Sequence, residues 1–322
     1  MALQRRALGN TDLSITTVGL GAWAIGGSGW AYGWGAQDDA SSVATIVRAA
    51  SLGINWIDTA PIYGLGHSEV VVGRALRELS ARERPLVFTK CGMLHDPKDP
   101  VREPERNLSP ASIRRELEAS LGRLGVDQID LYQFHWPDAS GTPLADSWGE
   151  LGLLIDEGKI RYAGVCNFTL DQLRQAEAIR HVDSIQPPFS LIRQGSGADV
   201  IPWAAGHGSG VIVYSPLQSG ILTASFSAAR AAALAADDWR RRSADFQEPA
   251  LSRNLALRDA LIPIAERHHT SVSAIAIAWA TQFPAVTGAI VGARSPEQLD
   301  DWIDAGKLRL TAEDLREIAA SS

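Results

Sequence analysis

Eight short apolar runs alternate with stretches of helical periodicity along most of this 322-residue chain, and that alternation restricts the fold more than any other feature. The runs lie at 18–22, 56–58, 86–90, 129–135, 160–166, 184–186, 211–215 and 289–292. Helical spacing fills 41–52, 69–79, 111–124, 144–157, 170–179, 255–268 and 272–281. Short continuous apolar runs mark strands covered on both faces, as in a parallel sheet flanked by helices. Eight such units with right-handed crossovers predict a closed (β/α)8 TIM barrel, a single domain over 1–322. An open doubly wound sheet would carry a glycine fingerprint in its first strand-to-helix turn. Here Gly19, Gly21, Gly26 and Gly27 have the wrong spacing and lead into a Trp- and Gly-rich loop over 28–37.

Punctuation supports the assignment. Ser109-Pro110 and Ser295-Pro296 read as helix starts, and Gly53, Gly125 and Gly158 sit where helices should stop. Residues 5–17, with Gly9-Asn10 and Thr11-Asp12 between apolar stretches, predict a hairpin over the bottom of the barrel. Residues 221–254 form an extended insertion before the last barrel helices, either a mobile functional loop or a tethered helical decoration.

Composition removes several function classes. A net charge of −7 argues against a nucleic-acid surface, and the one tight basic run, Arg240-Arg241-Arg242, reads as a solvated face. Two cysteines, Cys91 and Cys166, cannot build a disulfide framework or a zinc cage, so no metal is expected and a reduced setting is. No signal peptide and no apolar stretch of membrane-spanning length is visible, which predicts a cytoplasmic protein.

The chemistry is expected where apolar runs stop. Asp58 closes 54–57, Lys90 closes 86–89, and His135 closes 129–134, while Tyr63 lies in the loop Ala60-Pro61-Ile62-Tyr63-Gly64. Each has an ordinary explanation alone: a turn residue, a solvated strand end, a core histidine, a packing ring. Adjacent parallel strands would bring all four to the C-terminal edge of a barrel, where such enzymes keep their active sites. There Lys90 would lower the pKa of Tyr63, Asp58 would hold Lys90 charged, and Tyr63 would protonate a carbonyl oxygen that neutral His135 orients. The hydride must come from elsewhere.

Seven segments in order resemble the aldo-keto reductases: Ile57-Asp58-Thr59-Ala60 with Tyr63-Gly64, Thr89-Lys90, Leu131-Tyr132-Gln133 with His135-Trp136-Pro137-Asp138, Gly164-Val165-Cys166-Asn167-Phe168, Ile185-Gln186-Pro187-Pro188, Tyr214-Ser215-Pro216-Leu217 and Gly292-Ala293-Arg294. The resemblance spans nearly the whole chain and is closest to the bacterial branch with inositol- and sugar-associated members. It implies NADPH-dependent reduction of aldehydes or ketones, with Asp58, Tyr63, Lys90 and His135 matching the catalytic tetrad. It further implies that Asn167 and Gln186 grip the nicotinamide amide, with Cys166 in place of the usual serine, and that Tyr214 stacks on the ring. Ser215, Leu217 and Ser219 would follow the pyrophosphate, Arg294 and Gln298 would meet the 2′-phosphate, and Gly292, Asp301 and Trp302 would lie by the adenosine. Trp302 replaces an expected Asn. Trp23 and Trp136 would line the substrate pocket, with Trp30 and Trp34 on the same face.

Three other readings share these residues. The tetrad run backwards would oxidise sugar hemiacetals with NAD or NADP. A regulatory subunit could bind NADPH to sense redox state. A phosphate-binding barrel enzyme would want glycine-rich loops after its last two strands, which 216–220 and 292–294 match loosely.

Overall fold

The computed structural model describes residues 2–96 and 98–321. Twelve strands are present among them: β1 (Arg5–Ala7), β2 (Ser14–Thr16), β3 (Val18–Gly21), β4 (Trp56–Asp58), β5 (Leu86–Cys91), β6 (Met93–Leu94), β7 (Glu105–Arg106), β8 (Ile129–Phe134), β9 (Ile160–Cys166), β10 (Ser184–Gln186), β11 (Gly210–Tyr214) and β12 (Gly288–Gly292). The eight expected runs close into a parallel barrel in the order β3-β4-β5-β8-β9-β10-β11-β12, with β12 pairing back onto β3 through Ala289 and Val18. This is the (β/α)8 TIM barrel that the alternation predicts.

Helices surround the barrel for readable reasons. Asp38 caps the helix Asp39–Ser51 by accepting from the Ser41 N–H. A Thr169–Gln172 capping box opens Leu170–Ile179. Pro110 occupies the first turn of Pro110–Leu124, which stops at left-handed Gly125. The helix expected over 255–268 is instead two, Ala250–Ala260 and Ile262–Arg267, because Pro263 has no N–H to carry the ladder through. Helices Val200–His207 and Ala312–Ser321 and the short β6–β7 hairpin were not foreseen.

The barrel interior is layered by the two-residue period of its strands. Trp56, Phe88, Leu131, Ile212 and Ile290 form the lower, apolar layer, which Leu8, Leu13 and Ile15 of the N-terminal hairpin cover from below. Trp56 is fully buried, and its indole donates to the Thr16 carbonyl at 2.8 Å. Position 19 must be glycine here, because a Cβ would lie 2.1 Å from the Trp56 ring. Two residues further along β4, β5, β8 and β10 the interior turns polar, with Asp58, Lys90, Gln133 and Gln186. These buried polar side chains make up that second layer.

Candidate active site

Lys90 is wholly buried, and all three of its N–H bonds are taken. Its Nζ donates to Asp58 Oδ1 at 2.5 Å, to the Thr59 carbonyl at 2.9 Å and to the Tyr63 hydroxyl at 3.3 Å. Asp58 Oδ2 accepts from Gln186 Nε2 at 2.9 Å and from Gln133 Nε2 at 3.4 Å, so the carboxylate is held from both sides. Gln133 was not singled out from the sequence; its place two residues after inward-facing Leu131 on β8 is the signal that finds it. Gly164 on the neighbouring strand leaves it room, since a Cβ there would meet Gln133 Cγ at 3.1 Å and the Ser184 carbonyl at 2.9 Å.

These surroundings set the protonation states. Burial alone would strip the proton from Lys90, but the Asp58 carboxylate outweighs it and holds the ammonium protonated, its pKa raised. Tyr63 departs from the sequence expectation. Burial pushes its phenol up to about 12, and the opposing pull of Lys90 does not bring it below the ordinary value. Tyr63 is therefore a protonated acid at neutral pH, with a cation ready to receive the phenolate. His135, which follows β8 rather than ending it, has its pKa well below the usual value through burial and the nearby Lys90 and Arg106 cations. It is neutral. Its ring meets the Tyr63 ring edge-on, 5.6 Å between centroids.

A cavity of about 740 Å³ opens above this group. Asp58, Tyr63, His135, Trp23, Trp136, Asn167, Gln186, Tyr214, Ser215, Leu217, Ser219, Gly292, Arg294, Gln298, Asp301 and Trp302 all line it. Lys90 lies just behind the lining. So does Cys166, whose thiol turns to Gln133 Oε1 at 3.8 Å; burial raises its pKa, so it stays a neutral packing group rather than a contact on the cavity. Asn167 donates to the His135 carbonyl at 2.9 Å and accepts from the Tyr214 hydroxyl at 2.8 Å. Asn167, Ser215, Gln218 and Ser219 all adopt positive φ, and the last three follow one strand end. Non-glycine residues held in that region cluster at ligand sites, and successive turned amides there form anion cradles.

Arg294 is already engaged. Its Nε donates to Gln37 Oε1 at 2.7 Å, Nη1 to the Trp34 carbonyl at 3.2 Å and Nη2 to the Ala36 carbonyl. Gln298 accepts from the Arg294 backbone N–H at 2.8 Å, and Asp301 accepts from the Ser273 hydroxyl at 2.5 Å. Trp302 is buried against the barrel wall and lines the cavity, and among the described residues its indole N–H has no hydrogen-bond partner.

The insertion is docked over the cavity as short helices. Trp239 stacks on Trp23 with centroids 5.2 Å apart, and Trp34 meets Trp23 edge-on at 5.3 Å. Arg240 lies over Trp34 at 4.7 Å and pairs with Asp238 at 2.6 Å, while Arg242 donates to the Ala31 carbonyl at 2.7 Å. Of the basic run, Arg241 and Arg242 are exposed and Arg240 is half-buried.

The tyrosine end of the cavity is aromatic, with Trp23, Trp30, Tyr32, Met93 and Trp136 around Tyr63. Arg106, a residue without any sequence signal, also lines the cavity. The residues present fit a nicotinamide dinucleotide. Asn167, Gln186 and Tyr214, beside Tyr63, could hold a nicotinamide, and the left-handed rim after β11 could offer amides to a diphosphate. Arg294 and Trp302, whose indole N–H has no partner among the described residues, could meet an adenosine. Among the described residues no cluster of three His, Cys, Asp or Glu side chains could hold a metal ion, and no helix is long and apolar enough to cross a membrane.

The profile of the Aldo/keto reductase family matches residues 17–322. The chain is 35% identical to the NADH-specific methylglyoxal reductase of Escherichia coli (strain K12), over 98% of each protein. It is 34% identical to Aldo-keto reductase YhdN of Bacillus subtilis (strain 168), over 98% of this chain and 92% of that one. The glycerol dehydrogenase AKR11B4 from Gluconobacter oxydans superposes with a TM-score of 0.89 at 38% identity, over 100% of this chain and 95% of that one.

Proposed function

We propose that this chain, which belongs to the aldo/keto reductase family, reduces aldehydes or ketones to alcohols with Tyr63 as the proton donor. Membership makes it an oxidoreductase that works with a nicotinamide cofactor, and the reduced nicotinamide, when bound, supplies the hydride. One observation carries the assignment: a buried, fully coordinated Lys90 ammonium 3.3 Å from a tyrosine hydroxyl that stands at the cavity wall.

A carbonyl oxygen between Tyr63 and His135 accepts one hydrogen bond from each. As negative charge builds on that oxygen, the Tyr63 hydroxyl gives up its proton and the O–H bond of the alcohol forms. Lys90 then faces the phenolate, whose proton returns from solvent. Asp58, gripped by Gln133 and Gln186, keeps Lys90 charged and in position through the cycle. The aromatic walls exclude water and favour apolar or aromatic substrates.

NADPH remains our proposed cofactor, because Arg294 stands at the adenosine end and a guanidinium suits a 2′-phosphate. Its three present bonds into the 34–37 loop must be exchanged for that phosphate, so NADH use alongside NADPH is expected. The NADH-specific relative supports that expectation. Oxidation is the second reading, favoured by the likeness to a glycerol dehydrogenase, since the same residues acting in reverse accept a proton and release a carbonyl compound.

Absorbance at 340 nm with an aldehyde panel, run with NADPH and with NADH, tests the proposal. Tyr63→Phe should lower turnover at least about 100-fold while leaving dinucleotide binding intact. Turnover in the variant equal to the wild type would remove Tyr63 as the acid.

A further inference from the structure

Four guanidinium groups line the cavity, from Arg106, Arg230, Arg240 and Arg294. Three have partners. Arg240 is paired with Asp238, Arg294 is held by Gln37 and two carbonyls, and Arg230 reaches the Ser225 hydroxyl at 3.4 Å. Among the described residues no hydrogen bond or ion pair reaches the Arg106 guanidinium. Its Cζ lies over the Trp136 ring, 4.4 Å from the centroid. The nearby carboxylates are committed elsewhere. Glu103 accepts from the Tyr32 hydroxyl, Glu105 from Asn107, and Asp138 from the backbone N–H groups of Leu108, Gly141 and Thr142.

Arg106 is also fixed in place. It belongs to β7, opposite Met93 of β6, and its carbonyl accepts from the Ala139 N–H at 3.1 Å. Stacking on Trp136 holds the guanidinium plane while leaving its N–H edge free. A half-buried cation in an aromatic pocket is costly without a bonded counter-charge, and although Glu103 also lines the cavity, among the described residues no carboxylate bonds to Arg106.

We propose that Arg106 determines specificity by receiving an anionic group, a carboxylate or a phosphate, at the end of the carbonyl substrate remote from the reacting carbon. The proposal rests on the reductase reading and adds a substrate class to it. The free N–H edge matches the planar spacing of carboxylate or phosphate oxygens. Trp136 places it beside His135, so the substrate is anchored at the anion while its carbonyl meets Tyr63 and His135.

Two matched pairs separate the two anions: benzaldehyde with 4-carboxybenzaldehyde, and glyceraldehyde with glyceraldehyde 3-phosphate. In the wild type at least one charged member should have a kcat/KM at least about tenfold above its neutral partner, chiefly through KM. Arg106→Met should lower that ratio at least about tenfold, and Arg106→Lys should recover part of it. Calorimetric titration of 4-(hydroxymethyl)benzoate and of benzyl alcohol gives a readout independent of turnover. The acid should bind more tightly to the wild type than to Arg106→Met. If benzaldehyde is reduced but neither anion is preferred nor the acid bound through Arg106, this inference is wrong and the reductase reading stands. If the acid binds through Arg106 and no aldehyde is reduced, the reductase reading is wrong and the anion site stands.

Discussion

The two interior layers of the barrel are built by the same strands, two residues apart, and behave in opposite ways. Trp56 and Phe88 lie in a plug that needs only fit, with ring centroids 5.3 Å apart and a hairpin beneath them. Asp58 and Lys90, the next inward positions on the same strands, form a buried ion pair that loses its purpose if either member is lost. One layer tolerates loss in proportion to volume. The other fails as a unit, because a buried charge without its partner is more costly than no charge at all.

Substitution at each level sharpens that contrast. Lys90→Met leaves the Asp58 carboxylate buried without its cation. It should lower stability by about 3–5 kcal/mol in denaturant unfolding and cut aldehyde turnover at least about 100-fold. Phe88→Ala, two residues earlier, should lower stability by a similar 3–5 kcal/mol through the cavity it opens, while the folded fraction keeps most of its turnover. Equal loss of turnover in both would show that the layers are not separable.

A third buried group tests the rule from the other side. Glu116 is an acid behind β5 that accepts from the Gly92 N–H at 3.0 Å and from the Ser112 hydroxyl at 3.1 Å, and among the described residues no basic side chain bonds to it. Burial pushes its pKa from 4.5 up to about 7 against those bonds. A carboxyl with a raised folded-state pKa stabilises the protein fully below its unfolded value, and that contribution is lost as pH rises through about 7. Over that window the wild type should lose about 3 kcal/mol relative to Glu116→Gln, measured by denaturant unfolding at pH 4.5 and pH 8. Parallel pH profiles would mean that Glu116 is ionised throughout.

Much of this was legible in the sequence, for a physical reason. Buried parallel strands must be apolar throughout, so a charged residue at the end of one stands out, and Asp58, Lys90 and His135 were visible in that way. Tyr63 came from its loop and from the resemblance. Gln133 was hidden because it sits inside an apolar run, where only the inward–outward alternation with Leu131 marks it. Arg106 lies on a two-residue strand whose pairing carries no periodicity. Helix Val200–His207 contains Pro202 and Gly206, which read as breakers. The protonation of Tyr63 is not legible in the sequence, which shows the neighbouring charge but not the depth of burial that opposes it.

The barrel closes through Val18 and Ala289, and its roof joins residues 31–34 to 239–242. Asp58, Tyr63 and Lys90 lie within 33 consecutive positions, on adjacent strands and the loop between them. A ribosome therefore delivers these three residues early and the enclosure last. For most of synthesis the growing chain holds a lysine, an aspartate and a tyrosine with no barrel to seal them from water. The step that finishes the pocket is a contact of very long sequence separation, a kind that is slow to form.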